Sequence, residues 1–555
     1  MIRLSEHRPL EVDCLILGGG ITGAGVARDA AMRGLRTLLI DSHDFASGTS
    51  HLTSKLIHGG FRYLEHGHLR LVAEGIVERG RLLNHLAPHL VRPLRFVLPF
   101  SRRSFPKWLT AVFVVQLYGL TQWLSSGRRS RSFWGTLRRH YPLCSCPRLG
   151  ISFWDAQAND ARLVLSVLRA AEGYGATLWN YTTVAETSFE SGAWNVSVHC
   201  QGNGWNETVR AKTLVNATGP WSHLTANLLN CPLTETQWIK GSHILLRRPT
   251  NFGNDAIIIR SVQDGRALWV VPWENRLLVG STELRYAGDL RHVRPTAEEI
   301  DDLFESVNAA FPPLAFRRDD IRCAFAGVRP IVDQALCSEN SLSRRHQIQV
   351  DAARQLITVS GGKLTTFRRM AEQAVDEIDK LLQRPVVSDP LRRELRHAPI
   401  WPGLTRPRLE SLRGALNQRA RAHGLSGEVV EHLIRNYGQD GAAIVEEIAC
   451  RPERGRPLAD RLPYCLAELA YLCRSEKVCH LLDLVKRRTP LYFLADAAGL
   501  DFLPEVVDQL APITGWNAVQ CEDELASVAA EWSQDVQALG LAPPITIVPN
   551  RAVCA

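Results

Sequence analysis

The first clear pattern along the chain is an apolar run, Cys14–Leu17 preceded by Val12, which predicts a buried β-strand. This run ends in the glycines of a G-x-G-x-x-G sequence, namely Gly18, Gly20 and Gly23. Residues with helical spacing follow, and a second apolar run, Thr37–Ile40, ends at Asp41, eighteen residues after the last of these glycines. Strand, glycine-rich turn, helix, strand and acid together predict a βαβ unit that binds a dinucleotide, either NAD or FAD.

Each residue of this unit has an expected role. Gly18 makes the tight turn, Gly20 lets a pyrophosphate approach the backbone, and Gly23 lets the helix pack on the strand. The amino end of the helix faces the phosphates. The Asp41 carboxylate is expected to bind the hydroxyls of the adenosine ribose.

Later patterns are strands, helices and one hairpin. Helical spacing covers Arg162–Glu172. Apolar or alternating runs predict strands at 195–198, 207–209, 213–217 and 356–359. Two apolar segments around Glu274-Asn275 predict an antiparallel hairpin within 257–281. A helix is predicted from Leu364 to about Leu382, the proline-rich stretch 397–408 is interpreted as a linker, and helical patterns follow at 466–472 and 477–485.

Composition and charge exclude several classes of protein. The chain has 555 residues, 45% of them hydrophobic and 22% charged, which is ordinary for a globular protein of several domains. Its 13 cysteines include no C-x-x-C pair, so we expect reduced, mostly buried thiols and no metal site. The N-terminal sequence carries charges and a proline where a signal peptide needs a long apolar run, so export by that route is not expected.

The net charge of +8 is unevenly distributed. From Arg79 to Trp154 there are thirteen Arg and Lys residues and no Asp or Glu, and eight of these cations lie in the segment 101–140. Within this segment, Trp108–Leu124 is uncharged, with cations before and after it. An apolar segment bracketed by cations is typical of contact with an anionic membrane surface. The alternative is a buried helix with solvated arginines.

A further stretch, TSKLIHGGFRYLEHG at 53–67, places two glycines between a Lys/His side and an Arg/Tyr side. Adjacent glycines expose the backbone to close approach, so this stretch indicates part of a site. The alternative is a turn followed by an amphipathic helix.

Eight segments of the chain resemble, in the same order, the FAD-dependent, quinone-linked glycerol-3-phosphate dehydrogenases. They are LILGGGITGAG, TSKLIHGGFRYLEHG, DARLVL, LVNATGPW, IKGSHILL, FAGVRPIVD, SGGKLTTFRRMAE and LLDLVKRRTPLYF. The resemblance spans nearly the whole chain and is weakest in 99–144 and beyond about 520. It departs at Asp41, where the family often has Glu, and at Ser281-Thr282-Glu283, where Thr-Thr-Asp is expected.

The resemblance implies an α/β fold: a Rossmann-like FAD-binding domain with an inserted α+β substrate (cap) domain and a C-terminal all-α domain. The implied FAD-binding domain is discontinuous and comprises 10–75, 155–238 and 322–392. The implied substrate domain comprises 76–154 and 239–321, and the implied helical domain comprises 393–545.

The resemblance also implies the roles of individual residues. His243 is the expected catalytic base, with His58 as the alternative, because imidazole suits proton removal near neutral pH. Arg62 and Arg329 would bind the substrate phosphate, with Tyr63 and Lys363 lining the same pocket. The helix after Gly361 and Gly362 would stabilise the anionic reduced flavin. The expected FAD contacts are Gly18, Gly20, Ile21, Thr22, Gly23, Asp41, Ser42, Thr49, Ser50, Ser54, Lys55, Leu56, Ile57, His58, Gly59, Gly60, Ala217, Thr218, Gly219, Trp221, Gly327, Arg329, Gly362, Lys363, Leu364, Thr365 and Thr366.

The implied reaction is oxidation of sn-glycerol 3-phosphate to dihydroxyacetone phosphate, with electrons passed to ubiquinone or menaquinone. The protein would then be cytoplasmic and attached peripherally to the inner face of the cell membrane; a homodimer stays open. One alternative is an oxidase that passes electrons to oxygen, and another is an amino-acid oxidase. A nucleic-acid-binding role for the arginine-rich segment 128–141 is disfavoured because it leaves the glycine fingerprint unexplained. A calcium-regulated form is disfavoured because the C-terminal region has no D-x-D-x-D-G loop.

Overall fold

The computed structural model describes residues 9–60, 69–100, 131–134, 149–201, 204–231, 233, 236–332, 346–385, 387–401, 404–458, 462–494 and 500–540. Arg62 and Tyr63 lie outside these residues, as does the segment 101–140 apart from the backbone of 131–134. Among the helices that are described, none combines the length and the apolar character that crossing a membrane requires.

The strands, in chain order, are Leu10–Leu17 (β1), Thr37–Ile40 (β2), Leu56–Ile57 (β3), Arg92–Phe100 (β4), Arg131–Trp134 (β5), Leu149–Gln157 (β6), Thr177–Trp179 (β7), Thr182–Glu190 (β8), Ala193–Cys200 (β9), Asn206–Asn216 (β10), Thr236–Arg247 (β11), Ala256–Arg260 (β12), Ala267–Trp273 (β13), Arg276–Gly280 (β14), Leu284–Arg285 (β15), Ile321–Val332 (β16), Gln347–Asp351 (β17) and Leu356–Ser360 (β18). The α-helices are Ile21–Met32, Leu69–Arg81, Asp160–Gly173, Ser222–Leu228, Ala297–Ala310, Phe367–Leu381, Asp389–His397, Arg406–Ala422, Gly427–Tyr437, Gly441–Cys450, Leu466–Ser475, Leu481–Asp483, Leu491–Leu494, Leu503–Thr514 and Ala518–Ala538.

The chain divides into two compact units, each assembled from three stretches. The first unit contains residues 1–51, 163–239 and 328–402, and the second contains 52–162, 240–327 and 403–555. The second unit therefore includes both the α+β region and the C-terminal helices. The mixed α/β class predicted above is confirmed.

The first unit is built on a largely parallel sheet. Its strand order is β17-β18-β10-β1-β2-β7, with β9 and β8 added beside β10. β1 runs parallel to both β10 and β2, which is the arrangement expected for a βαβ unit. Residues Cys14–Leu17 of β1 and all residues of β2 and β18 are buried, because helices cover the parallel part of the sheet.

The helix Ile21–Met32, which follows β1, is buried over most of its surface. Ten of its twelve residues are buried, including Arg28 and Asp29. The Arg28 guanidinium donates to the carbonyl oxygen of Ala398 at 2.7 Å, and Arg33, just after the helix, donates to Asp29 at 2.6 Å. The helix therefore packs inside the unit and is not an amphipathic surface helix.

The second unit has a sheet in the order β15-β11-β14-β13-β12-β4-β6-β3, with β16 beside β11 and β5 beside β6. β11, β14, β13 and β12 are antiparallel neighbours. The helix Ala297–Ala310 contributes Ile300, Leu303 and Val307 to the apolar core behind these strands. A capping box at Thr296 and Glu299 fixes where this helix begins.

Several elements agree with the sequence predictions, and one strand differs from them. β2 and the β13–β14 hairpin match their predicted positions. The predicted strands at 207–209 and 213–217 are one strand, β10, because exposed and buried residues alternate through Arg210 and Lys212. The boundary between the two compact units falls within the proposed linker 397–408, and Ile400 and Trp401 in this stretch are buried.

Candidate active site

The glycine-rich turn has the geometry that its sequence predicts. Gly18 has φ +105°, and a side chain there would come within 2.7 Å of the carbonyl oxygen of Ala217. A Cβ at Gly23 would overlap the carbonyl oxygen of Gly18, so glycine is required for the helix to pack on the strand end. The predicted turn and packing roles are confirmed, and the bare backbone forms a cradle that fits a dinucleotide pyrophosphate.

Asp41 lies beside this turn at the end of β2. One carboxylate oxygen accepts a hydrogen bond from the N–H of Gly19 at 2.6 Å, and the other accepts from the N–H of His43 at 2.9 Å. The Ser42 hydroxyl lies 3.0 Å from the ring Nδ1 of His43. Two backbone donors therefore hold the carboxylate at the place where the fingerprint requires a ribose-binding acid.

The short helical turn Thr49–His51 packs against the start of the first helix. The Ser50 hydroxyl accepts a hydrogen bond from the N–H of Ile21 at 3.0 Å, while Thr22 is partly buried in the same first turn. The Thr49 hydroxyl donates to the carbonyl oxygen of Val328. Thr49 and Ser50 thus lie next to the cradle, although the sequence signal for them was the resemblance alone.

The end of β10 lies beside the glycine-rich turn in the first unit. The Ala217 N–H donates to the carbonyl oxygen of Leu17 at 2.9 Å, and Thr218 follows. Gly219 has φ +59° and begins the turn Gly219–Trp221, whose tryptophan ring would lie 2.9 Å from a side chain at Gly48. The interpretation of this segment as a return strand of the same sheet is confirmed.

A second helix begins close to the first. Gly361 and Gly362 have φ +71° and +92°; Lys363, Leu364, Thr365 and Thr366 then lead into the helix Phe367–Leu381. A Cβ at Gly25 would lie 3.0 Å from the ring of Phe367, so the second turn of the first helix contacts the first residue of the second helix. Their positive amino ends are therefore close together, which favours an anionic group. Arg329 lies on β16, partly buried.

In the second unit, Lys55 is buried and its ammonium group is paired. Its Nζ lies 2.6 Å from Oδ1 of Asp160, and both side chains are at most 3% exposed. The ammonium also lies 5.0 to 5.8 Å from the ring centroids of Trp273, Phe325 and Phe493. Such a geometry is a cation–π arrangement around a buried ion pair. The resemblance assigned Lys55 to the cofactor; the structure shows this further set of partners, and the sequence pattern did not predict them.

The glycine pair after β3 is held by groups that the sequence did not single out. Leu56 and Ile57 form β3, His58 is partly buried, and Gly60 has φ +86°. The Gly59 N–H donates to Asp155 at 3.1 Å, and Asp155 pairs with Arg79. A side chain at Gly75 would lie 2.8 Å from the carbonyl oxygen of Gly59. The helix Leu69–Arg81 therefore approaches this backbone closely.

His243 occupies a closely packed position on β11 and is 1% exposed. Its Nε2 lies 2.8 Å from the hydroxyl of Ser54. Its ring is stacked on Phe325, with 5.0 Å between the ring centroids and 19° between the planes. Gly280 is its cross-strand partner on β14, and a Cβ there would lie 2.8 Å from Cγ of the imidazole and 3.0 Å from Nε2. The imidazole therefore has one orientation.

The carboxylate of Glu299 fixes the backbone next to His243. It accepts from Lys240 at 2.7 Å, from the Ser242 hydroxyl at 2.8 Å and from the Thr282 hydroxyl at 2.6 Å. Burial alone would raise the pKa of Glu299, but these hydrogen bonds lower it below its ordinary value. Thr282, within the segment where the chain departs from its family pattern, thus has a structural partner.

Gly327 lies on β16 where the chain passes Leu52. A side chain there would come within 2.7 Å of the carbonyl oxygen of Leu52. Close approach of protein backbone is therefore sufficient to require glycine at this position. The predicted contact of Gly327 with the cofactor stays a prediction.

The dinucleotide cradle and the sheet-based fold define a class, the FAD-dependent oxidoreductases. Residues 13–361 match the family described as FAD dependent oxidoreductase, and residues 409–521 match the C-terminal domain of alpha-glycerophosphate oxidase. A glycerol-3-phosphate dehydrogenase of Synechocystis sp. is 32% identical over 551 residues, which cover 95% of this chain and 97% of that protein. The mitochondrial glycerol-3-phosphate dehydrogenase of Rattus norvegicus is 32% identical over 93% of this chain and 72% of its own length.

The chain therefore belongs to the family of FAD-dependent glycerol-3-phosphate dehydrogenases. Its cofactor is FAD. The fold is similar to the X-ray structure of the glycerol-3-phosphate dehydrogenase from Bacillus halodurans complexed with FAD, with a TM-score of 0.76, 24% identity and 97% coverage of both chains.

Proposed function

We propose that this protein oxidises the secondary alcohol of sn-glycerol 3-phosphate to the ketone of dihydroxyacetone phosphate. The observation that carries the proposal is the similarity, over nearly the whole chain, to relatives named glycerol-3-phosphate dehydrogenase. When bound, FAD accepts the hydride from the alcohol carbon. The protein has to bind the phosphate, orient the carbon and remove the hydroxyl proton.

His243 is the proposed base. Its imidazole is the side chain best matched to proton removal near neutral pH, and its single orientation favours a fixed geometry of transfer. His58 is the alternative. The buried Glu299 supports the base indirectly. Its carboxylate accepts a hydrogen bond of 2.8 Å from the hydroxyl of Ser242, which directly precedes His243.

Arg329 and Arg62 are the proposed phosphate-binding residues, with Lys363 and Tyr63 in the same pocket. A guanidinium donates two parallel hydrogen bonds to phosphate oxygens, which a lysine cannot do. The paired amino ends of the helices beginning at Ile21 and Phe367 are the proposed binding surface for FAD phosphates.

Anaerobic spectroscopy tests this reaction directly. The purified protein should show flavin absorbance, and glycerol 3-phosphate under nitrogen should bleach it within one turnover. Glycerol, which lacks the phosphate, should bleach it far more slowly. If both alcohols bleach the flavin at the same rate, the substrate assignment is contradicted. If an amino acid bleaches the flavin faster than glycerol 3-phosphate does, the amino-acid oxidase alternative is favoured.

For the electron acceptor we propose a membrane quinone, ubiquinone or menaquinone. The support is the sequence of the segment 101–140, with eight cations around the uncharged Trp108–Leu124, and the expectation that a lipid-dissolved acceptor is reached from the inner face of the membrane. Turnover with a short-chain quinone and no peroxide is expected. Rapid peroxide formation in air would favour the glycerol-3-phosphate oxidase alternative.

Membrane attachment has its own test. Reversing Arg128, Arg129 and Arg131 to Glu should abolish flotation with anionic vesicles and leave turnover with a soluble dye unchanged. Flotation of the triple variant like the parent would exclude this attachment.

A further inference from the structure

The buried position of His243 raises the question of how a substrate proton reaches it. The side chain is only 1% exposed. Ser54, which contacts its Nε2 at 2.8 Å, is partly exposed. The hydroxyl therefore lies on the side from which the imidazole nitrogen can be approached.

The neighbouring strands prevent the ring from turning toward an incoming alcohol. β11 lies between β14 and β16, so Gly280 and Phe325 flank His243 on its two sides. The Gly280 backbone leaves no room for even a methyl group beside the ring. Because the ring is held in this way, Nε2 stays directed at the Ser54 hydroxyl.

We propose that Ser54 is a proton relay between the substrate hydroxyl and His243. The inference rests on the proposed function, in which His243 is the base. The substrate O–H bond breaks and its proton moves to the Ser54 oxygen, while the Ser54 proton moves to Nε2 of His243. Ser54 is unchanged in sum, His243 gains one proton, and the hydride leaves the alcohol carbon to FAD.

A hydroxyl is chemically suited to this relay. It has one donor and two acceptor positions, so it can accept from an alcohol and donate to an imidazole at the same time. Its short side chain on the segment that leads into β3 is fixed by its neighbours, since Thr53 donates to Asp160 through both its N–H, at 3.0 Å, and its hydroxyl, at 2.7 Å. Lys55, the residue after Ser54, also contacts Asp160 through its ammonium group, so both neighbours of Ser54 are tied to one carboxylate.

The test compares flavin reduction in single turnovers of the FAD-loaded protein. Ser54→Ala should slow reduction by glycerol 3-phosphate about ten-fold or more at saturating substrate, because general acid–base transfer contributes on the order of a hundred-fold and water replaces a lost hydroxyl incompletely. Ser54→Thr should retain most of the rate. The solvent deuterium isotope effect on reduction should change in Ser54→Ala, since the number of protons in transit changes. Ser411→Ala removes an exposed hydroxyl that donates to the carbonyl oxygen of Pro407 at 3.2 Å, and it serves as the matched control.

Combining Ser54→Ala with His243→Asn distinguishes the possible failures. If the relay operates, Ser54→Ala causes no further loss in the His243→Asn background. If flavin reduction is slow in the single variant His243→Asn but near the parent rate in the single variant Ser54→Ala, the relay is overturned and His243 is still supported as the base. A His243→Asn variant that reduces flavin at the parent rate would overturn both the base assignment and the relay.

A readout without substrate separates the relay contact from general damage. In protein carrying isotope-labelled histidine, the Nε2 resonance of His243, assigned by its loss in His243→Asn, should shift in Ser54→Ala and remain in place in Ser411→Ala. An unmoved resonance in Ser54→Ala would show that the hydroxyl does not contact the ring in solution, and would overturn the relay.

Discussion

Gly280→Ala is a small change with a large expected effect on His243. The new methyl carbon would lie 2.8 Å from Cγ and 3.0 Å from Nε2 of the imidazole, whereas carbon atoms in van der Waals contact are about 3.5–4.0 Å apart. The ring therefore has to move by roughly 1 Å, and Phe325, stacked at 5.0 Å on the neighbouring strand, opposes this movement. Overpacking of this kind destabilises a fold by about 1–3 kcal/mol.

The effect on catalysis should exceed the effect on folding. A displacement of about 1 Å in a catalytic group lowers rates by up to roughly a hundred-fold. We expect flavin reduction by glycerol 3-phosphate to slow by ten-fold or more, with the flavin spectrum and FAD content unchanged. Gly414→Ala is the matched control, because none of the residues that the structure describes lies within 4 Å of a side chain there. A Gly280→Ala variant with the parent's reduction rate would refute the idea that the position of this ring governs the reaction.

Three other changes test separate parts of the molecule. Gly23→Ala, whose Cβ would overlap the Gly18 carbonyl oxygen, should lower the ratio of FAD to protein after purification. Gly173→Ala, where no residue in the described part of the chain lies within 4 Å of the new carbon, should not lower it; equal FAD content in both variants would contradict the cradle. Arg329→Gln should lower kcat/KM for glycerol 3-phosphate about ten- to a hundred-fold, or about 1.5–3 kcal/mol, and affect glycerol much less; equal losses would point to a folding role. Burial opposes ionisation of Glu372, but hydrogen bonds from arginines lower its pKa from 4.5 to about 2, so its contribution to stability is present above about pH 4.5 and is lost as the pH falls toward 2. In Glu372→Gln the urea concentration at the midpoint of unfolding should change less with pH across that range. If the pH dependence of the midpoint is the same as in the parent, other groups govern the loss of stability in acid.

Local sequence patterns predicted the parts of the fold that are determined by residues close together in the sequence. The βαβ unit and the β13–β14 hairpin are encoded in short stretches, where turn residues and apolar runs act together. β10 was predicted as two strands with a break at Arg210 and Lys212, but both are exposed positions of one continuous strand, alternating with the buried Val209, Ala211 and Thr213. The pairing of β10 with β1 and β9 was needed to see this.

The sequence predicted the parts of the site where backbone geometry requires a glycine. It was less informative where residues that are far apart in the sequence come into contact. Lys55 and Asp160 are separated by 105 positions, and no periodicity links them. Glu299 reaches β11 from a helix that looks like any capped amphipathic helix in the sequence. Ser54 was assigned to the cofactor by resemblance, and its contact with His243, 189 positions away, required the folded sheet.

The buried helix Ile21–Met32 has a consequence for how the protein acquires its cofactor. Its first N–H is bonded to the Ser50 hydroxyl, its buried Arg28 is bonded to Ala398, and Phe367 packs against Gly25. These contacts hold the helix in place with protein groups alone. Flavin-free protein should therefore keep its phosphate-binding turn assembled, and added FAD should enter a ready-made receptor and restore the holoenzyme without a refolding step.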